Sequence, residues 1–182
     1  QQVRLCYGLM TSRLLRWIFV YWVGMVVLEH VAFTLAQPYL TEALGRTADD
    51  LGATPLVVGA QFAAAAAVGS VAARAAPGMR RRFGFAPTLL MLAVLSGTIV
   101  SIMGAVIHAA VIALMVLRSV HGAAAPVLLT AAAAPLVESQ RRATYFSLHS
   151  LVGRLAYSSV LFGVAAAVGV ELTPSLCALT GV

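Results

Sequence analysis

Charge is scarce in this 182-residue chain, and acid scarcer still: 10% of the residues are charged, 6 are Asp or Glu, and all 12 basic residues are arginine. A soluble domain of average make-up carries about 25% charged residues, so a folded unit surrounded by water is excluded. Cysteine is nearly absent. Cys6 and Cys177 lack metal-ligating or redox spacing and read as small apolar residues. There is no His-Glu-x-x-His, no Gly-x-Ser-x-Gly and no close acidic pair inside an apolar run, the patterns that zinc or serine chemistry needs. No enzyme activity, metal or cofactor is expected. Strict apolar–polar alternation is missing too, which excludes an outer-membrane barrel with strands of about 9–11 residues. The net charge of +6 points at first to nucleic acid. The arginines, however, sit between apolar runs, with no basic face interleaved with aromatics, so no nucleic-acid binding is expected.

What the chain has is hydrophobic length: 61% of residues are hydrophobic and the mean hydropathy is +0.95. A bilayer span takes about 20 mostly apolar residues. The pattern predicts an all-α, polytopic transmembrane helix bundle filling residues 1–182 as a single transmembrane domain. Spans are expected at 17–40, 55–76, 87–107, 109–137 and 143–170, with a stub at 174–182. Polar stretches divide them: Thr41–Thr54 with Glu42, Arg46, Asp49 and Asp50, then a turn over Pro77–Gly84, then a loop over Glu138–Arg142. Pro55 suits a first helical turn. Pro38 should kink or end the first span. The small residues Ala63–Ala67, Gly69 and Ser70 suit close helix packing in lipid. The opening Gln-Gln-Val-Arg and the short last apolar run read as the ends of a piece cut from a longer chain.

Arginine placement gives an orientation. Arg4, Arg13, Arg16, Arg74, Arg80, Arg81, Arg82, Arg141 and Arg142 fall on one side of alternating spans, and Arg46 alone falls on the other. The positive-inside rule then places the N-terminal end in the cytoplasm, in a cell inner (plasma) membrane. Trp17, Tyr21 and Trp22 sit at the expected boundary and read as interfacial anchors.

Three stretches carry a family resemblance. They are Glu29–Phe33 through Gln37–Leu40; Gly69 through Arg80–Gly84; and Arg118–Gly122 together with Arg141–Ser147 and Gly153–Leu155. They resemble the seventh, eighth, tenth and eleventh helices of major facilitator superfamily (MFS) transporters, in the branch of bacterial drug or proton antiporters. The resemblance covers nearly the whole chain and implies an MFS-like C-terminal half, with five full spans as helices seven to eleven. The missing partner would be the N-terminal half of the same transporter. It further implies that the first and fourth spans line a central cavity, the second and fifth meet the other half, and the third lies outside. Arg80, Arg81 and Arg82 would be the basic part of the family's cytoplasmic loop motif. The acidic residue usual in that motif is absent, with Ala73, Ala75 and Ala76 standing there.

A charge within a span costs about 2.5–3.5 kcal/mol on insertion scales and marks function by default. Glu29, Arg118 and Arg154 qualify. Glu29 is twelve residues past Trp17, roughly 18 Å in at 1.5 Å per residue. Arg154 is at similar depth on the fifth span, so a Glu29–Arg154 ion pair is geometrically possible, either exchanging partners or fixed. Ser147, Ser150, Arg154, Tyr157 and Ser158 share one helical face, which must meet water or another helix. His149 points off that face and reads as a packing residue. Arg118 either lines the cavity or snorkels outward. His30 and His121 are proton-relay candidates or hydrogen-bonded structural histidines. Gln37, Phe33 and Glu29 step by four along one face.

Three functions compete. The leading one is secondary active transport of a small molecule, as proton-coupled drug efflux by the C-terminal half of an MFS permease. Its substrate and proton pathway would run through Glu29, His30, Gln37, Arg118, His121 and Arg154, and its partners would be the lipid bilayer, the small molecule and protons. The second is a non-catalytic scaffold or a gene fragment inactive by itself. The third, a membrane-embedded enzyme, has the fewest residues behind it.

Overall fold

The computed structural model describes residues 12–43, 54–106, 108 and 111–167, and among these it is helical with no strand. The helices are α1 (Arg13–Ala43), α2 (Thr54–Phe83), α3 (Phe85–Ala105), α4 (Val111–Ala133), a 3-10 turn (Ala134–Leu136) and α5 (Ser139–Ala167). Four of them contain stretches long and apolar enough to cross a membrane: Arg13–Thr34, Val58–Phe83, Phe85–Ala105 and Ala113–Leu136. Helix α5, which carries Arg141, Arg142 and Arg154, is not among the four. Cys6, Cys177, Glu171 and the expected stub at 174–182 lie outside the described residues.

Several boundaries differ from the sequence reading. Helix α1 runs through Pro38 to Ala43, because a missing N–H removes one intrahelical bond and apolar helices tolerate that loss. Helix α2 likewise continues through Pro77 and carries Arg80, Arg81 and Arg82 in its last turn. The expected eight-residue turn shrinks to Gly84. Its φ of 90° lies in a region that side chains disfavour, which lets α3 start at once. Three cations at a helix C-terminus complement its negative dipole end. Arg80 also stacks over Phe85, 5.5 Å from the ring centre. Of the polar loop expected at 138–142, residues 139–142 are instead the first turn of α5. There Arg141 pairs with Glu138 at 3.3 Å, and Arg142 Nε donates to the Val137 carbonyl at 3.0 Å.

Helix α4 is the hub: it packs on α2, α3 and α1, while α5 packs on α1. Close approach depends on glycine at two crossings. A Cβ on Gly69 of α2 would sit 3.1 Å from Ala123 of α4, and one on Gly153 of α5 would sit 2.8 Å from Val26 of α1. The alanine run at 63–67 is mostly exposed; the α2 residues that close on the core are Gly69, Ala72 and Ala76. Helix α3 buries a single stripe, Thr88, Leu89, Leu92, Ser96, Ile99 and Met103. It turns Leu90, Met91 and Val94 outward.

Two apolar clusters result. One, toward the Arg13 end of α1, joins Leu15, Ile18, Leu89, Leu92, Leu128 and Leu129 with others. The second, toward the far end, joins Ile99, Met103, Val111 and Met115. Large apolar side chains also cover the outside, including Val20 at 65% exposure, Val71 at 68% and Phe162 at 66%. Soluble monomers rarely expose apolar patches on this scale. In lipid the arrangement carries no penalty, and packing rather than water exclusion holds the helices together.

Candidate functional site

A polar layer separates the two apolar clusters. On α3 it is Ser96, between Leu92 and Ile99. On α4 it is Arg118 and His121, between Met115 and Ala124. On α1 it is Glu29. Glu29 organises the layer. Arg118 Nη1 donates to Glu29 Oε2 at 2.7 Å and to the Glu29 backbone carbonyl at 3.3 Å. Nδ1 of His121 lies 3.0 Å from Glu29 Oε1, and Ser96 Oγ donates to the same oxygen over a long 3.5 Å. The charged side chains are largely shielded, with exposures of 26% for Glu29, 14% for Arg118 and 3% for His121. A charge-assisted bond of this length is about twice as strong as a neutral one, and pairing removes most of the cost of placing either ion mid-span. Gly122 borders the carboxylate: a Cβ there would sit 3.9 Å from Glu29 Oε2, in ordinary contact.

The layer is tied further by Tyr21. Its hydroxyl donates to the Leu89 carbonyl at 2.8 Å and lies 3.2 Å from His121 Nε2. Tyr21 thus ties α1 to both α3 and α4, a role that the anchor reading does not supply. Trp17 stacks on it with ring centres 5.4 Å apart, and Trp22 lies 3.9 Å from His149, so both tryptophans also pack inward. Sequence reasoning gave Tyr21 only an anchoring role and passed over Ser96. The row of fours noted at Glu29, Phe33 and Gln37 extends back through Met25 to Tyr21, which is the signal that finds it.

Recesses border the cluster on both sides. Toward the Arg13 end of α1 lies one of about 130 Å³, lined by Tyr21, Met25, Glu29, His121, Pro126 and others. Toward the other end lies one of about 330 Å³, walled by Phe33, Thr34, Val58, Gln61, Phe62, Met115 and Arg118. A third, about 360 Å³, shares Phe33 and Arg118 with it and reaches Glu29 and His30. Phe33 and Phe62 face each other across the mouth at 6.2 Å. The lining is apolar with a few convergent polar groups, the usual make-up of a small-molecule site.

The remaining candidates divide. Arg154 does not reach Glu29; Arg118 takes that place, because α1 and α4 cross at the level of Glu29 while Arg154 points outward from α5. Arg154 is exposed beside Ser147 and Ser150 in an open groove, and has no ion-pair partner among the described residues. His30 Nδ1 donates to the Val26 carbonyl one turn back at 2.8 Å, and its ring lies 5.3 Å from Tyr157. Tyr157 and Thr34 are hydrogen-bonded at 2.7 Å, which joins α5 to α1. His149 is a buried packing residue, with Nδ1 donating to the Phe146 carbonyl at 3.2 Å. The Gln37 side chain lies outside the described ones. Arg80, Arg81 and Arg82 are exposed, far along α2 from the cluster. Among the described residues no group of three His, Cys, Asp or Glu side chains is placed to hold a metal ion. Comparison of the chain with protein-family models, with curated proteins and with solved structures gives no match.

Proposed function

We propose that the chain is the C-terminal half of an MFS-like secondary transporter that moves an amphipathic small molecule, in the manner of proton-coupled drug efflux. In this reading α5 is a fifth span, its polar face covered by the other half of the transporter. The N-terminal end lies in the cytoplasm of an inner-membrane protein, on the side where nine arginines collect. The observation that carries the reading is the Glu29–Arg118–His121 cluster, held between two apolar core clusters with a recess on either side. A scaffold would need the pair only as a fixed helix crossing, whereas the recesses on either side of it suit a bound molecule.

The chemistry follows from the pairing. Glu29 and Arg118 satisfy each other when nothing is bound. A ligand that hydrogen-bonds one of them releases the other, and a proton taken up beside His121 weakens the hold of Glu29 on Arg118. Either event changes what holds α1 to α4, the two helices that wall the recesses. Phe33, Phe62, Val58 and Met115 suit an apolar body, and Gln61, Thr34 and Arg118 suit a polar end.

Thiol labelling of single cysteines tests the reading in the natural full-length polypeptide, reconstituted in liposomes. Met25→Cys reports the recess at the Arg13 end and Phe33→Cys the opposite one. Reversing the pH gradient should move the two labelling rates in opposite directions. Rates that stay fixed, with a single accessible side, favour the scaffold.

A further inference from the structure

The hydrogen bonds around His121 fix how many protons the cluster holds. Tyr21 Oη lies 2.8 Å from the Leu89 carbonyl oxygen on α3 and 3.2 Å from His121 Nε2 on α4. A carbonyl only accepts and a phenol has one proton. With the bond to Leu89 made, His121 Nε2–H must therefore donate to Tyr21. On the other side of the ring, Nδ1 lies 3.0 Å from Glu29 Oε1. A proton belongs on that line as well, on the nitrogen or on the oxygen, because a bare nitrogen against a carboxylate opposes two lone pairs. The complete set holds one proton more than a neutral imidazole beside a carboxylate. Once that proton leaves, one arrangement keeps the Glu29 contact. The imidazole carries its remaining proton on Nδ1, Nε2 becomes an acceptor, and the Tyr21 hydroxyl turns from Leu89 to His121.

We propose that Glu29 and His121 jointly bind one exchangeable proton, and that Tyr21 transmits its presence to α3. Loaded, the Tyr21 hydroxyl donates to the Leu89 carbonyl and ties α1 to α3. Unloaded, it donates to His121 Nε2 and releases α3. The inference rests on the transporter reading and adds to it the address of the coupling proton and the helix that the proton controls. Other groups in reach are few. Helix α1 adds His30, bonded to its own backbone, and α4 adds Arg118 on the far carboxylate oxygen. Helix α3 brings Ser96 and the Leu89 carbonyl, neither of which titrates. Helix α2 brings Gln61 across the recess, and α5 brings Tyr157, which faces His30. Breaking the Tyr21 bond matters because α1 touches α3 only sparsely elsewhere.

Nitrogen-15 NMR of labelled histidine, on the full chain in lipid nanodiscs, reads both ring nitrogens of His121, assigned by their loss in His121→Asn. Infrared spectroscopy reads the tyrosine C–O stretch, assigned by its loss in Tyr21→Phe. As the pH is raised, Nε2 should lose its proton while Nδ1 keeps one, and the Tyr21 band should shift with the same midpoint. In Glu29→Gln the side-chain amide donates to Nδ1, so Nε2 stays protonated and the Tyr21 band should stop responding to pH. Tyr21→Phe removes the acceptor of Nε2–H and should lower proton affinity tenfold or more, moving the midpoint down by about one pH unit. If Tyr21→Phe fails to fold, wild type and Glu29→Gln decide between them. An Nε2 that keeps its proton throughout, or a Tyr21 band that ignores the His121 titration, overturns the proposal. A chain that titrates this way without moving substrate keeps the proton site and removes the transporter reading. One that transports with a static His121 and Tyr21 does the reverse.

Discussion

Glu29 and Arg118, 89 positions apart in sequence, meet at 2.7 Å where α1 crosses α4. The carboxylate uses its second oxygen for His121, and the guanidinium adds a bond to the Glu29 carbonyl. The pair is therefore both an electrostatic contact and a helix crossing, so stability and function should respond to it together.

Arg118→Gln leaves a mid-span carboxylate without its cation. Hydrogen bonds to charged groups contribute about 1.5–3 kcal/mol, so thermal unfolding in nanodiscs should fall by roughly 3–12 °C, at about 2–4 °C per kcal/mol for a chain of this size. Combining it with Glu29→Gln should cost less than the two single changes added together, by about 0.5–3 kcal/mol. Strict additivity would show that the two residues do not interact.

Arg154→Gln should behave differently. Its side chain is exposed and unpaired among the described residues, so the change in stability of the chain should stay within about 0.5 kcal/mol. With Glu29→Gln it should add within about 0.3–0.5 kcal/mol. Strong coupling in that cycle would restore the Glu29–Arg154 pair expected from matched depth.

Gly153→Ala forces a Cβ to within 2.8 Å of Val26 on α1. Overpacking of this kind costs about 1–3 kcal/mol, and the melting temperature should drop accordingly. Val26→Ala removes the two Cγ atoms but leaves the Val26 Cβ 2.9 Å away, so the double variant should recover part of the loss. Failure to recover would mean that α1 and α5 do not cross there.

Gly84→Ala places a side chain at φ 90°. Such conformations cost about 1–3 kcal/mol, and the α2–α3 junction should loosen, read as faster amide exchange at residues 80–90. Wild-type exchange would contradict the tight single-residue turn.

Much of the fold is legible in the sequence because lipid imposes a simple demand. Long apolar runs become helices, and the runs at 55–76 and 87–107 became α2 and α3 within a few residues at their starts. Their ends were harder to read. Pro38, Pro77 and Arg141 are loop signals in water, yet all lie inside helices here, because backbone groups in an apolar setting stay paired wherever they can. The site was half legible. Glu29, Arg118 and His121 stood out as polar residues within apolar runs, but depth alone could not choose between Arg118 and Arg154 as the partner of Glu29. That choice depends on which helices cross, a tertiary fact. Tyr21 was hidden because an aromatic near a span end is ordinarily an anchor.

We propose that the Glu29–Arg118 pair couples substrate movement to a driving gradient. The most direct test is uphill transport by the natural full-length polypeptide in liposomes, driven by an imposed pH gradient. Wild type should concentrate a lipophilic drug against its gradient, whereas Glu29→Gln and Arg118→Gln should each reduce that accumulation tenfold or more. Accumulation at wild-type levels in both variants would contradict the account.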